Sequence, residues 1–269
     1  MTTLFETDVR SRLPEPTPAS IAGPRRVTLE GMGWRRTVEW RDHSCLGSAA
    51  FWVEETRRQP MPRSLQIGRT LAEEVALCLL GGYGVNEAMS TSAFRAVRDA
   101  GLLDVSSPPS AAEVEAVLRA PMRVDGYSKP VRYRFPVQRA QRVASAVAAL
   151  ADQPVDGLLP PRELRAFLTT LSGVGLKTAS WVVRNLTASD DVAIIDIHIR
   201  RAGVAAGVFD PDWALPRDYL RFEEAFCAWA EVGGVPTAAL DLCIWSTLAR
   251  MGTTARLLFG VDRLADLDQ

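Results

Sequence analysis

Along most of this chain apolar residues recur at helical spacing. Thr70-Leu71-Ala72-Glu73 has the form of a capping box opening a helix that Gly81-Gly82 closes, and Ser110-Ala111-Ala112-Glu113 opens another that stops before Pro121. Pro161 suits a first helical position and is followed by Leu164, Phe167, Leu168 and Leu171. After Ser172–Gly175 the pattern restarts with Leu176, Ala179, Val183 and Leu186, which predicts two short helices joined by a glycine turn over residues 161–187. Arg217–Val232 and Pro236–Met251 read as two more helices, ended by Gly233 and Gly252. Earlier, Thr28-Leu29-Glu30, Val38-Glu39-Trp40 and Phe51-Trp52-Val53 read as short strands broken by glycines, and residues 1–26, with Pro14, Pro16, Pro18 and Pro24, as a loosely ordered arm. The expected organisation is mostly α: an arm with short strands over 1–60, then a helical core over 61–269. The alternation Ile195, Ile197, Ile199 suggests a strand by itself, conflicts with its helical surroundings, and stays open.

Composition narrows the class. The 269 residues, 47% hydrophobic and 23% charged, suffice for one large domain or two lobes. No apolar run approaches the ~18 residues of a membrane span and no leader pattern is visible, so the expectation is a cytoplasmic monomer without membrane contact, nucleoid-associated if bacterial. Cys45, Cys78, Cys227 and Cys243 lack clustered spacing, which predicts free thiols and neither metal nor cofactor. A net charge of -1 gives no general attraction for nucleic acid. Locally the balance differs: Arg119, Arg123, Lys129, Arg132, Arg134, Arg139 and Arg142 face the single acid Asp125, with Tyr127, Tyr133 and Phe135 between them. That mixture suits phosphate pairing and base stacking; a solvated arginine-rich loop is the other reading.

Of 31 basic side chains only Lys129 and Lys177 are lysines, and Lys177 directly follows Gly173-Val174-Gly175-Leu176. Arginine holds its proton at any useful pH, whereas lysine can present a neutral amine as a nucleophile. A glycine turn before a helix leaves backbone N–H groups and the positive end of the dipole facing an anion. Lys177 then lies in the first helical turn, where the dipole disfavours an ammonium. A lysine pairing a DNA phosphate fits the same position. Asp196, between Ile195 and Ile197 and two residues before His198, is an acid among apolar neighbours. Such placement calls for a partner, although Asp196 could also cap the helix that follows.

The stretch Leu171–Ala179 together with Ile194-Ile195-Asp196-Ile197-His198-Ile199-Arg200-Arg201 resembles the signature of the helix-hairpin-helix DNA glycosylases, most closely the 8-oxoguanine DNA glycosylase branch. The lysine-to-aspartate separation of 19 residues fits that branch, and no C-terminal cysteine cluster of the iron–sulfur branch is present. The match covers about residues 164–201, with a weaker one at Gly81-Gly82-Tyr83-Gly84; Ser172 and Ile194 stand where the family often has proline.

The resemblance implies a two-lobed helical fold with a DNA cleft between the lobes. It also implies base flipping, attack of Lys177 on the sugar C1′, elimination of the 3′ phosphate from the resulting imine, and support of sugar charge by Asp196. Double-stranded DNA with a damaged or modified base is the implied partner. Gly173, Val174, Gly175 and His198, with Arg132, Arg134 and Arg139, are the expected DNA contacts, His198 being equally suited to a structural role. Tyr83, Asn86, Asp241 and Trp245 are candidates for the base pocket. Excision of another modified base, including one in foreign DNA, and a non-catalytic DNA-binding hairpin remain the competing readings.

Overall fold

The computed structural model describes residues 25–62, 64–82, 84–153, 155 and 159–259. They form an N-terminal hairpin, β1 (Arg26–Gly31) and β2 (Trp34–Glu39), followed by α1 (Ala49–Arg58), α2 (Leu71–Leu80), α3 (Glu87–Asp99), α4 (Ala111–Arg119) and α5 (Pro136–Asp152). Then come α6 (Pro161–Leu168), α7 (Leu176–Thr187), α8 (Ile197–Ala205), α9 (Tyr219–Gly233), α10 (Thr237–Met251) and α11 (Thr253–Leu258).

The Ser110 capping box forms in full, each side chain answering the other's backbone N–H. At Thr70 only half of it forms: the hydroxyl accepts from Glu73 N, while the Glu73 carboxylate takes Arg69 N at 2.7 Å. The first two expected strands pair antiparallel, Val27 opposite Val38 and Thr28 opposite Thr37. Phe51-Trp52-Val53 is not a strand. It lies inside α1, which Ser48 caps by accepting from Phe51 N at 3.0 Å. The aromatic run conceals a helical stripe, since Ala49, Trp52, Val53 and Thr56 are the buried residues of α1, at i, i+3, i+4 and i+7.

Two cores result. One gathers α2 to α7 around Leu80, Phe94, Leu118, Val147, Leu164 and Val183; the other gathers the hairpin, α1 and α8 to α11 around Leu29, Trp52, Phe209, Phe222 and Trp229. Residues 26–58 thus share a core with the last four helices. The chain passes from one core to the other just before α8, with Val192 in the first and Ala193 and Ile195 in the second. This passage is extended rather than a paired strand, and α8 begins at Ile197, which resolves the isoleucine alternation.

Polar bridges close the seam. Glu223 of α9, 4% exposed, accepts from Ser180 of α7 at 3.0 Å, from Ala193 N at 3.1 Å and from Arg165 of α6. Arg184 of α7 pairs with Asp241 of α10 at 3.0 Å, both nearly buried. Replacing such a pair by apolar residues is often neutral, but removing one partner costs about 3–5 kcal/mol because the other charge stays buried.

Candidate active site at the lobe seam

Between α6 and α7 the chain turns tightly, Val174 N donating to Leu171 O at 3.0 Å. Gly173 has φ +79°, and a Cβ there would collide with the side chain of Arg142 on α5. The positive φ calls for glycine, whereas the flexible Arg142 side chain can shift. Gly175 begins α7 with extended backbone, and no side chain caps that helix. Its first-turn N–H groups are therefore available to an anion. Val174 is placed differently from the two glycines: its side chain is buried in the first core and its N–H is used in the turn, so it anchors the hairpin.

Lys177, half-buried, stands in the first turn of α7 beside Leu176, which packs on the second core. Asp196 caps α8: its Oδ1 accepts from His198 N at 2.8 Å and Ile199 N at 2.9 Å, and Oδ2 takes no part in the cap. The capping role open in the sequence is thus real, and it fixes the carboxylate at the seam. The passage leading to it is pinned where a proline is absent. Tyr219 Oη donates to Ala193 O at 2.9 Å and accepts from Ile195 N at 3.3 Å, while Glu223 holds Ala193 N.

Asp241 ties these groups together. Burial pushes its carboxyl up to about 6; Arg184 and Lys177 act to lower it and Asp196 to raise it. Both Lys177 and Asp196 therefore lie within electrostatic reach of one buried acid on α10. Held in the pair with Arg184, Asp241 is a buried element of the seam. Trp245, one turn further along α10, is half-buried. His198 is half-buried in the first turn of α8, its backbone N–H committed to Asp196.

Asn86 caps α3, accepting from Met89 N at 2.8 Å, and its amide donates to Tyr127 Oη at 2.8 Å. Its amide thus supports a neighbouring loop. Tyr83 lies outside the described residues. Trp181, which the sequence did not single out, is half-buried and packs on the first core. It sits four residues after Lys177, on the same face of α7, and a Cβ on Gly81 would come within 2.9 Å of its ring.

The arginines divide. Arg132 and Arg134 are exposed; Arg132 donates to Arg119 O at 3.1 Å and Arg134 lies 5.0 Å from the centroid of the Phe135 ring. Arg139 is half-buried and donates to Leu79 O at 2.8 Å, next to Tyr133 Oη on Leu80 O at 2.6 Å, so it holds the end of α2.

Two helices joined by a glycine turn, the second opening on Lys177, with Asp196 capping the helix that follows, define a helix-hairpin-helix arrangement. Residues 68–234 match the family model of the 8-oxoguanine DNA glycosylases (Ogg-HhH), and the chain belongs to that family. Over 77 residues it is 34% identical to an 8-oxoguanine DNA glycosylase/AP lyase of Fusobacterium nucleatum, covering 28% of this chain and 36% of that one. Over 120 residues it is 30% identical to the protein of the same name from Metallosphaera sedula, covering 44% and 59%. The chain thus matches between about one third and three fifths of these relatives' lengths. The fold is similar to that of the Methanocaldococcus jannaschii 8-oxoguanine DNA glycosylase, with a TM-score of 0.52 and 23% identity over 73% of this chain and 83% of that one. A second structure of that glycosylase/lyase, in complex with a 15mer DNA containing 8-oxoguanine, gives a TM-score of 0.51 at 22% identity over 74% and 88%.

Proposed function

We propose that this protein is a bifunctional DNA glycosylase and abasic-site lyase that removes an oxidised purine of the 8-oxoguanine class from double-stranded DNA. The observation that carries the reading is the uncapped glycine hairpin that leads directly into Lys177, with Asp196 fixed as the cap of the helix that follows. Membership of the family and the names of the two relatives support the choice of base.

In this reading the hairpin's N–H groups hold a backbone phosphate and the target nucleotide leaves the stack, at a cost of a few kcal/mol. Trp181, on the Lys177 face of α7, offers an aromatic wall for the extruded base. The neutral amine of Lys177 attacks C1′, the base departs with the bonding pair, and the ring opens to an imine. Loss of a C2′ proton then expels the 3′ phosphate. Asp196, fixed through Oδ1, stabilises positive charge developing on the sugar.

Borohydride reduction of the imine tests this directly. On duplexes containing 8-oxoguanine the protein should become covalently joined to DNA, and Lys177→Arg should bind DNA but give no trapped complex, because arginine offers no neutral nitrogen. Undiminished trapping by Lys177→Arg would remove Lys177 as the nucleophile.

A further inference from the structure

The Arg123–Pro130 loop is not used by this chemistry, yet it is firmly built. Met122 and Val131 close its base with paired backbone bonds of 2.9 and 3.0 Å, and Met122 and Val124 anchor it in the first core. Tyr127 N donates to Val124 O at 3.1 Å, and Gly126 turns the chain with φ +84°. At the tip Tyr127 is 49% exposed, a large aromatic ring whose hydroxyl accepts from Asn86 at the start of α3. Around it lies a cavity of about 240 Å³ lined by Arg123, Asp125, Tyr127 and Lys129. That is several times the ~30 Å³ share of a water molecule. Among the described residues no acid pairs with Arg123, Lys129 or Arg134.

The loop is coupled to the seam. Asn86 opens α3 just beyond the loop in which Gly84 packs on Arg134 and Phe135 and Gly81 packs on Trp181. From Phe135 α5 runs on to Arg142, which lies against Gly173. A chain of contacts therefore leads from Tyr127 through Asn86, Arg134 and Phe135 along α5 to Arg142 and the hairpin.

We infer that the Arg123–Pro130 cavity is a second nucleotide-binding site, outside the catalytic seam: it holds one nucleotide of the same DNA, its base stacked on Tyr127 and its phosphate between Arg123 and Lys129. The ring supplies a sequence-tolerant stacking surface and the two cations a phosphate clamp. Asn86 fixes the ring in advance, so little side-chain entropy is lost on binding. The inference rests on the proposed action on DNA and adds a site to it.

The test uses duplexes with a tetrahydrofuran abasic analogue, which bind without lyase chemistry, carrying iododeoxyuridine at successive positions of both strands. Irradiation should crosslink Tyr127 at one position. Tyr127→Leu should abolish that crosslink and weaken binding about five- to a hundredfold, the scale of one base–aromatic stack. Tyr127→Phe should retain the crosslink and bind within about threefold of the parent. Crosslinks that map only elsewhere, or unchanged affinity of Tyr127→Leu, overturn the inference. If borohydride trapping through Lys177 persists in that case, the enzymatic reading stands and this site alone falls. A protein that binds no duplex overturns both.

Discussion

The two ends of α7 treat charge in opposite ways. At the C-terminal end Arg184 grips Asn185 Oδ1 at 2.9 and 3.2 Å and Asp241 at 3.0 Å. Asn185 donates to Glu74 at 2.5 Å, whose other oxygen takes the N–H groups of Ile67 and Gly68. Each of these bonds ends on another group of the protein. At the N-terminal end no side chain caps the helix, the two hairpin glycines are exposed, and Lys177 stands half-buried. One helix thus locks the lobes together at one end and offers donors and an amine at the other. Buried polar groups fix a structure only when fully partnered, whereas a site acting on an anion needs groups the protein leaves open.

Breaking the closed end should have the largest effect on stability. Arg184→Met leaves Asp241 buried without its cation and should lower unfolding free energy by about 3–5 kcal/mol, read from urea denaturation. The double variant Arg184→Met/Asp241→Leu should recover much of that loss, since both charges are gone. No recovery would mean that the pair is not a self-contained lock.

Asp196 sharpens the open end because cap and chemistry can be separated. Asparagine caps a helix about as well as aspartate, so Asp196→Asn should keep stability within about 0.5 kcal/mol yet slow base release by roughly 10²-fold in single-turnover assays. Asp196→Ala should also lose about 1 kcal/mol of stability. An asparagine variant that unfolds easily but cleaves normally would leave Asp196 as a cap alone.

Protonation distinguishes the ends in a third way. Burial first, and then Asp196, raises the Asp241 carboxyl to about 6, from an unfolded value of about 3.9. A group whose pKa rises on folding contributes stability in full below the unfolded value, and that contribution is lost as pH climbs through the folded one. Between pH of about 4 and 6 the protein should therefore lose part of its stability as pH rises, and Asp241→Asn should flatten that slope in Tm measurements. Glu74, also raised by burial, acts in the same sense and leaves a residual slope. A slope identical in Asp241→Asn would assign the whole effect elsewhere.

What the sequence revealed follows from the range of each interaction. The α6–α7 hairpin and the Ser110 box were legible because periodicity, proline and glycine positions and caps are local signals. Lys177 stood out by its rarity among arginines, and Asp196 by its apolar neighbours. The α1 helix was missed because Phe51-Trp52-Val53 has strand-like residue types, while its burial follows packing against α9 and α10. The partners Glu74, Glu223 and Asp241 lie 111, 43 and 57 residues from the α7 groups they hold, and no local pattern announces such pairs. Nor could spacing reveal that Asn86 serves a cap and a tyrosine, or that Arg139 differs from its neighbours.

That last difference applies the comparison of open and closed charge to the basic segment itself. Arg132 and Arg134 are exposed, so either can meet a phosphate, and each arginine–phosphate pair removed should reduce the slope of log K against log salt by about 0.9. The double variant Arg132→Gln/Arg134→Gln should flatten the slope by about 2, with Tm unchanged. Arg139 donates to Leu79 O from a half-buried position, and its guanidinium pKa is lowered by that burial. Arg139→Gln should therefore leave the slope nearly as it was while costing about 1–3 kcal/mol, the scale of a buried carbonyl deprived of its donor. Fluorescence anisotropy over a salt series, beside thermal melts of the same proteins, separates the two behaviours. An Arg139 variant that flattens the slope without loss of stability would move that residue to the open population and extend the DNA face along α5 towards Arg142 and the hairpin.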